Sequence, residues 1–302
     1  MTMKSTEDEF SQELEIFREE AEAGAQFFYS YLAVHELAKR DRRLFRLLDA
    51  NALFWNTSLA GLQTGAIMAL GRIFDRRSPH NLNTLVRLVL QHRGIFSKAA
   101  LGRRKQGTEP KPPEWLPEYL RSAYEPTPAD FRRLAAHVKK YRRIYEDKYH
   151  DLRNQLYAHK QAADPTAVAA LVKNTSIREM QRLFVFLLQL HQALQELFVN
   201  GRKPILRPFR YSAQRIGQRP SRAIPGESVH ERITMQAERA LRGLLAQQQS
   251  GARRNPGAHE QTPKKAATFL SNEGSAVSVR KPRVGVKRSQ GISYNKTRAV
   301  SC

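Results

Sequence analysis

The sequence predicts an all-α protein: an antiparallel helical bundle with a basic, mostly disordered C-terminal extension. Three observations point there. Apolar residues recur at steps of three and four in nearly every periodic segment, no clear run of alternating β-branched residues appears, and helix start and stop residues stand where the apolar stripes begin and end.

The first helix is expected from about Glu7 to Lys39, because its acid-rich beginning and the bases Lys39, Arg40 and Arg42 near its end complement the helix dipole. The second, about Arg43 to Phe74, is apolar nearly all round (Phe45, Leu48, Phe54, Trp55, Ile67, Leu70) and is expected at the centre of the bundle. Ser78-Pro79 breaks the chain before a shorter helix, Leu82 to Ile95. Residues 102–114, with Arg103, Arg104, Lys105, Pro110, Pro112 and Pro113, read as a basic, proline-rich loop outside the core.

Thr127-Pro128-Ala129-Asp130 is a helix start, with a capping threonine, proline in the first turn and an acid at the third position. One long helix is expected from there, striped by Leu134, Val138, Tyr141, Tyr145, Tyr149, Leu152, Leu156 and His159, until Asp164-Pro165 ends the segment. Ser176-Ile177-Arg178-Glu179 is a capping box opening a further helix. Its stripe is Ile177, Met180, Phe184, Leu187, His191, Leu194 and Phe198, and Gly201 with Pro204 stops it; His191 reads as a core histidine. Beyond lie basic connectors and one amphipathic helix, Ser228 to Gln248. The last 52 residues carry eleven bases, two acids and only Phe269 and Tyr294 as aromatics, too little apolar surface to offset the entropy of ordering. The expected division is therefore 1–204, a helical bundle; 205–249, a basic linker with one amphipathic helix; and 250–302, a disordered basic tail.

A chain of 302 residues that is 41% hydrophobic is large enough to build a core. Its one cysteine, Cys302, rules out an intrachain disulfide framework and a Cys-rich metal knuckle, which fits a reducing, cytoplasmic setting. Met1 to Phe10 carries three acids before any apolar run, unlike a secretion signal, and the longest apolar stretch, Leu183 to Leu190, is too short to span a bilayer. No membrane association is expected. The net charge of +23 is unevenly placed: residues 1–30 hold eight acids and two bases, whereas 201–302 hold 21 bases and five acids. Such a segment attracts polyanions through counterion release, so nucleic acid is the natural partner.

Several enzyme classes lack their parts. There is no GxxxxGK[ST] loop, no HExxH and no GxSxG, and the nine histidines show no metal-ligand spacing, so neither a metal nor another cofactor is expected. What remains is Leu152-Arg153-Asn154-Gln155-Leu156-Tyr157-Ala158-His159-Lys160. Arginine keeps its charge and presents parallel donors to a phosphate, while histidine titrates near neutral pH. On an ideal α-helix the six residues from Arg153 to His159 subtend about 600°, leaving the two side chains about 120° and about 9 Å apart. Either the helix loosens near Ala158, or a second protomer completes the site.

This segment resembles the Arg-x(4–6)-His signature of the HEPN superfamily, with a five-residue spacer and a polar residue after the arginine. Phe54-Trp55-Asn56 and Ala69-Leu70-Gly71-Arg72-Ile73-Phe74-Asp75 resemble its abortive-infection U-type branch. The resemblance covers roughly residues 8–200 and implies a metal-independent endoribonuclease of the toxin or phage-defence type. In that reading RNA is the substrate, His159 the general acid/base, Arg153 the phosphate clamp and Asn154 the orienter. A homodimer is expected, since one histidine does not easily serve as acid and base at once and a twofold axis supplies two. An antitoxin or another neighbour-encoded regulatory protein is a further partner. A family variant carries a modifiable tyrosine two residues past the histidine; that position is Gln161 here. Asp75 and Arg72 read as an ion pair or as support for the site, and Tyr141, Tyr145, Tyr149 and Tyr157 as base-stacking rings or packed core. The alternative is a non-catalytic helical RNA- or partner-binding module acting through its basic C-terminal region.

Overall fold

The computed structural model describes residues 5–158, 165–206 and 229–254, and every regular element among them is helical. The first helix, α1 (Thr6–Arg40), starts on a capping box. The Ser5 hydroxyl accepts the Asp8 N–H and the Asp8 carboxylate accepts the Ser5 N–H, satisfying two end donors reciprocally. After α2 (Arg42–Ala50) comes α3 (Ala52–Phe74), which runs antiparallel to α1. Glu20 pairs with Arg72, Gly24 abuts Ala69 and Gly65 abuts Phe27, so numbers rise on one helix as they fall on the other.

The remaining helices close around that pair. They are α4 (Leu82–Gln91), followed by a 3-10 turn at Arg93–Phe96, then α5 (Lys98–Gln106), α6 (Leu116–Ser122) and α7 (Pro128–Lys148). The short α8 (His150–Leu152), a π-helical segment at Arg153–Ala158, α9 (Pro165–Lys173), α10 (Ile177–Asn200) and α11 (Val229–Arg254) complete the chain order. Against α1, α10 is antiparallel too: Phe10 meets Phe198 at 4.9 Å between ring centroids, and Phe28 stacks on Phe184 at 5.4 Å. Against α7 it is again antiparallel, with Tyr141 stacked on Phe186 at 4.0 Å and Lys148 paired to Glu179. The helices come close together at Gly24, where a Cβ would lie 2.5 Å from Phe184 and 2.9 Å from Ala69. Glycine there lets three helices share one packing layer. At the other end of α10, Gly201 adopts φ +58° and its N–H caps the helix, the left-handed conformation that favours glycine.

The structure corrects five local expectations. The segment from Arg43 to Phe74 is two helices broken at Asn51, and its first half is not central: Leu53 is 84% and Phe54 64% exposed. The later half packs against α1, Tyr145 of α7 and Arg153, with Ile67, Leu70, Ile73 and Phe74 buried, whereas Leu53 and Phe54 at the start of α3 lie on a face that stays exposed. The stretch Leu82 to Ile95 leaves the α conformation at His92. Residues 102–106 are helical rather than loop, and Arg104 is tied into the bundle: it donates to the Ile95 and Phe198 carbonyls, pairs with Glu7 and lies 4.0 Å from the Phe198 ring centroid. The long helix opened by Thr127 and Asp130 stops at Tyr149 and rewinds as α8 and the π segment. Finally, α11 runs on to Arg254, into the tail expected from 250, and packs along α1 and α2 with Leu241 in the core. The helix expected within 205–249 therefore belongs to the bundle; residues 255–302 of the tail lie outside the described residues. No described helix is long and apolar enough to cross a membrane.

Candidate active site

The π segment Arg153–Ala158 contains the first residues of the arginine–histidine motif. Such i→i+5 windings occur mostly as single turns within α-helices and are frequent at functional sites. Here the widening comes one short turn, α8, after the break at Tyr149. That side chain is fully buried and its hydroxyl donates to the Ser176 carbonyl at 2.8 Å, anchoring the break to the start of α10.

Arg153 leaves the π segment toward the end of α3. Its Nη1 donates to Asp75 Oδ2 at 2.9 Å and to Asn154 Oδ1 at 3.0 Å, and the side chains of Arg153 and Asp75 are 18% and 20% exposed. Arg153 Nε is buried without a hydrogen-bond partner, because that edge of the guanidinium lies against Gly71, where a Cβ would sit 2.6 Å from Nε. Glycine at 71 is thus what permits the arginine to reach Asp75. No described residue accepts a hydrogen bond from Nη2, which remains the donor open to a ligand oxygen.

Asn154 continues the chain of contacts: its amide nitrogen lies 3.1 Å from His150 Nε2, and His150 Nδ1 lies 3.0 Å from Asp151 Oδ1. The Tyr145 ring meets the His150 ring edge-on at 6.3 Å. Burial pushes the Tyr145 hydroxyl up to about 12, so it stays protonated at working pH. Burial by itself would raise the Asp75 carboxyl, but the Arg77 backbone N–H and Arg153 outweigh it and hold the group below its ordinary 3.8.

A pH-dependent stability follows with a defined sign. A carboxyl depressed in the folded state contributes stability that is complete above its unfolded pKa and lost as pH falls through the folded value. Asp75→Asn is therefore expected to cost about 1–3 kcal/mol at neutral pH, since Arg153 loses its charged partner. Urea midpoints of the variant and wild type should converge as pH falls below 3.8. A gap of constant size down to about pH 2 would mean that Asp75 contributes by packing rather than by charge.

Of the residues singled out from sequence, Arg153 and Asn154 are brought into one constellation, while His159 lies outside the described residues, as does Gln161. Arg72 pairs with Glu20 and does not join it. Tyr145 and Tyr149 are core, and Tyr141 is stacked inside the bundle. Sequence reasoning did not single out His150. Its signal was available: it stands four residues before Asn154, one helical turn away on the same face. Asp75, read from sequence with Arg72 as an ion pair or as support for the site, pairs with Arg153 rather than with Arg72.

The fold and the site define a helical-bundle protein with a cationic motif set on a π-helical turn and braced by a carboxylate from another helix. A family model described as HEPN_AbiU2 (AbiU2) matches residues 7–216, well over half of the chain, and the chain belongs to this AbiU2 family of HEPN proteins. No curated protein and no solved structure gives a significant match.

Proposed function

We propose that the protein is a metal-independent endoribonuclease acting in abortive infection or toxin–antitoxin control. The observation that carries this reading is the Arg153–Asp75–Asn154 constellation on the π turn of a HEPN-family bundle. Cleaving RNA through its own 2′-hydroxyl requires removal of that proton, protonation of the leaving 5′-oxygen and positive charge at the phosphorane. Arg153, held by Asp75, supplies fixed positive charge, and its Nη2, which donates to no described residue, is the donor offered to a phosphate oxygen. Asn154 orients, and His159 transfers protons. The basic C-terminal region adds salt-sensitive affinity for RNA without sequence preference. The active form is a homodimer in the cytoplasm, held in check by an antitoxin or other neighbour-encoded protein.

The test is incubation of a mixed RNA pool with the purified full chain in EDTA, followed by analysis of the new ends. Fragments with 2′,3′-cyclic phosphate and 5′-hydroxyl ends support the proposal. RNA that is bound but stays intact favours the second reading, a non-catalytic RNA- or partner-binding module. One observation speaks for that alternative: Arg153 is mostly buried and paired, so it also serves as a strut joining the π turn to α3.

A further inference from the structure

The exposed imidazole beside Arg153 has a defined orientation, fixed by a chain of donors. Arg153 Nη1 only donates, so the Asn154 atom facing it is the amide oxygen, and the Asn154 NH2 is turned to His150 Nε2. The amide nitrogen only donates in turn, so Nε2 must accept. In the neutral ring the proton then sits on Nδ1 and is donated to Asp151 Oδ1. The ring thus carries a basic lone pair on Nε2 and a carboxylate behind Nδ1, the arrangement by which an aspartate orients an imidazole base. The His150 side chain is 44% exposed, so a substrate can reach it. One amide separates its Nε2 from the guanidinium of Arg153.

We infer that His150 is the general base of the site, taking the 2′-hydroxyl proton of RNA whose phosphate lies on Arg153. This rests on the ribonuclease reading above and deepens it. The O2′–H bond breaks with its proton passing to Nε2, O2′ bonds to phosphorus, and the P–O5′ bond breaks with the 5′-oxygen protonated by the general acid. The products are a 2′,3′-cyclic phosphate and a 5′-hydroxyl, and the imidazolium returns its proton to water. Asn154 is displaced from Nε2 by the incoming hydroxyl and keeps its bond to Arg153. Among the described residues, the charged groups near the ring are Asp151 beside it, Asp75 at the end of α3 and, one amide away, Arg153; the buried Tyr145 closes one side. Base and acid are then two different residues, so dividing the roles does not call for two copies of one histidine.

The experiment compares wild type, His150→Ala and His150→Gln on a short RNA and on uridine 3′-(4-nitrophenyl phosphate), whose leaving group needs no protonation. Glutamine still offers an oxygen to the Asn154 NH2 but takes up no proton at neutral pH, and unfolding midpoints check that both variants fold. Both are expected to lose at least about 10²-fold in kcat on both substrates, with KM within about threefold. The rising limb of the wild-type pH–kcat/KM profile should disappear in both. Wild-type rates with His150→Gln would overturn the assignment and reduce His150 to a positioning residue for Asn154. Recovery of the variants on the nitrophenyl substrate alone would overturn it by making His150 the acid. In either case the ribonuclease reading stands; a wild-type chain that cleaves neither substrate overturns both.

Discussion

His159→Ala is expected to abolish RNA cleavage, by at least about 10²-fold and up to about 10⁴-fold, while the protein still binds RNA through its basic regions. The magnitude follows from chemistry: without a group that titrates near neutral pH, the leaving oxygen departs as an alkoxide. Two companion variants probe the neighbouring cation. Arg153→Lys retains the charge but not the planar fork, so the geometry in which Nη1 holds Asp75 and Asn154 while the separate Nη2 faces a phosphate is lost; about 10–10²-fold in kcat is expected to go. Gly71→Val touches no ionisable group, yet even a Cβ would stand 2.6 Å from Arg153 Nε and push the guanidinium off Asp75, so a loss similar to that of Arg153→Lys is expected. Single-turnover rates with a labelled oligonucleotide measure all three. Full activity in His159→Ala would remove that residue from the mechanism. Full activity in Gly71→Val would show that Arg153 need not occupy its observed place.

The largest effect on stability is expected from Phe184→Ala, at about 3–5 kcal/mol. Phe184 is fully buried, stacks on Phe28 and lies against Gly24, where α1, α3 and α10 meet. Removing the ring leaves a cavity the neighbours cannot readily fill, because Ala69 and Gly24 are small and sit on rigid helices. Urea unfolding should show a lower midpoint with an unchanged slope, the sign of altered stability rather than altered compactness. A cost under about 1 kcal/mol would mean that the junction collapses around the missing ring, with α1, α3 and α10 not locked by this layer.

Much of the helical architecture was legible because its signals are local. The threonine–aspartate capping box before α7, the glycine that ends α10 and the apolar stripe of α10 act within a turn or two of chain, and each lies where its residues place it. The capping box read at Ser176 is a partial exception: α10 does start there, but its Ser176 side chain makes no cap hydrogen bond. The family was legible for the same reason, since the arginine–histidine spacing and the Ala69–Asp75 run are contiguous strings, and the match over residues 7–216 confirms it. Partner choice across the fold was not legible. Asp75 and Arg153 are 78 residues apart, and only the antiparallel packing of α1 on α3, with the π turn folded onto the end of α3, brings them to 2.9 Å.

The same limit explains the corrections. Leu53 and Phe54 look as apolar as Ile67 and Leu70, and what separates exposed from buried is which neighbours reach each half of the helix. Arg104 sits in a basic run that reads as solvated, yet the carbonyls of Ile95 and Phe198 receive it. By itself the sequence determined an all-α bundle, its family, its acidic beginning and its basic end, because capping, periodicity and charge are properties of neighbouring residues. Only the tertiary structure decided that Asp75 braces Arg153 and that Gly71 makes room for it, because both depend on which surfaces meet when the helices pack.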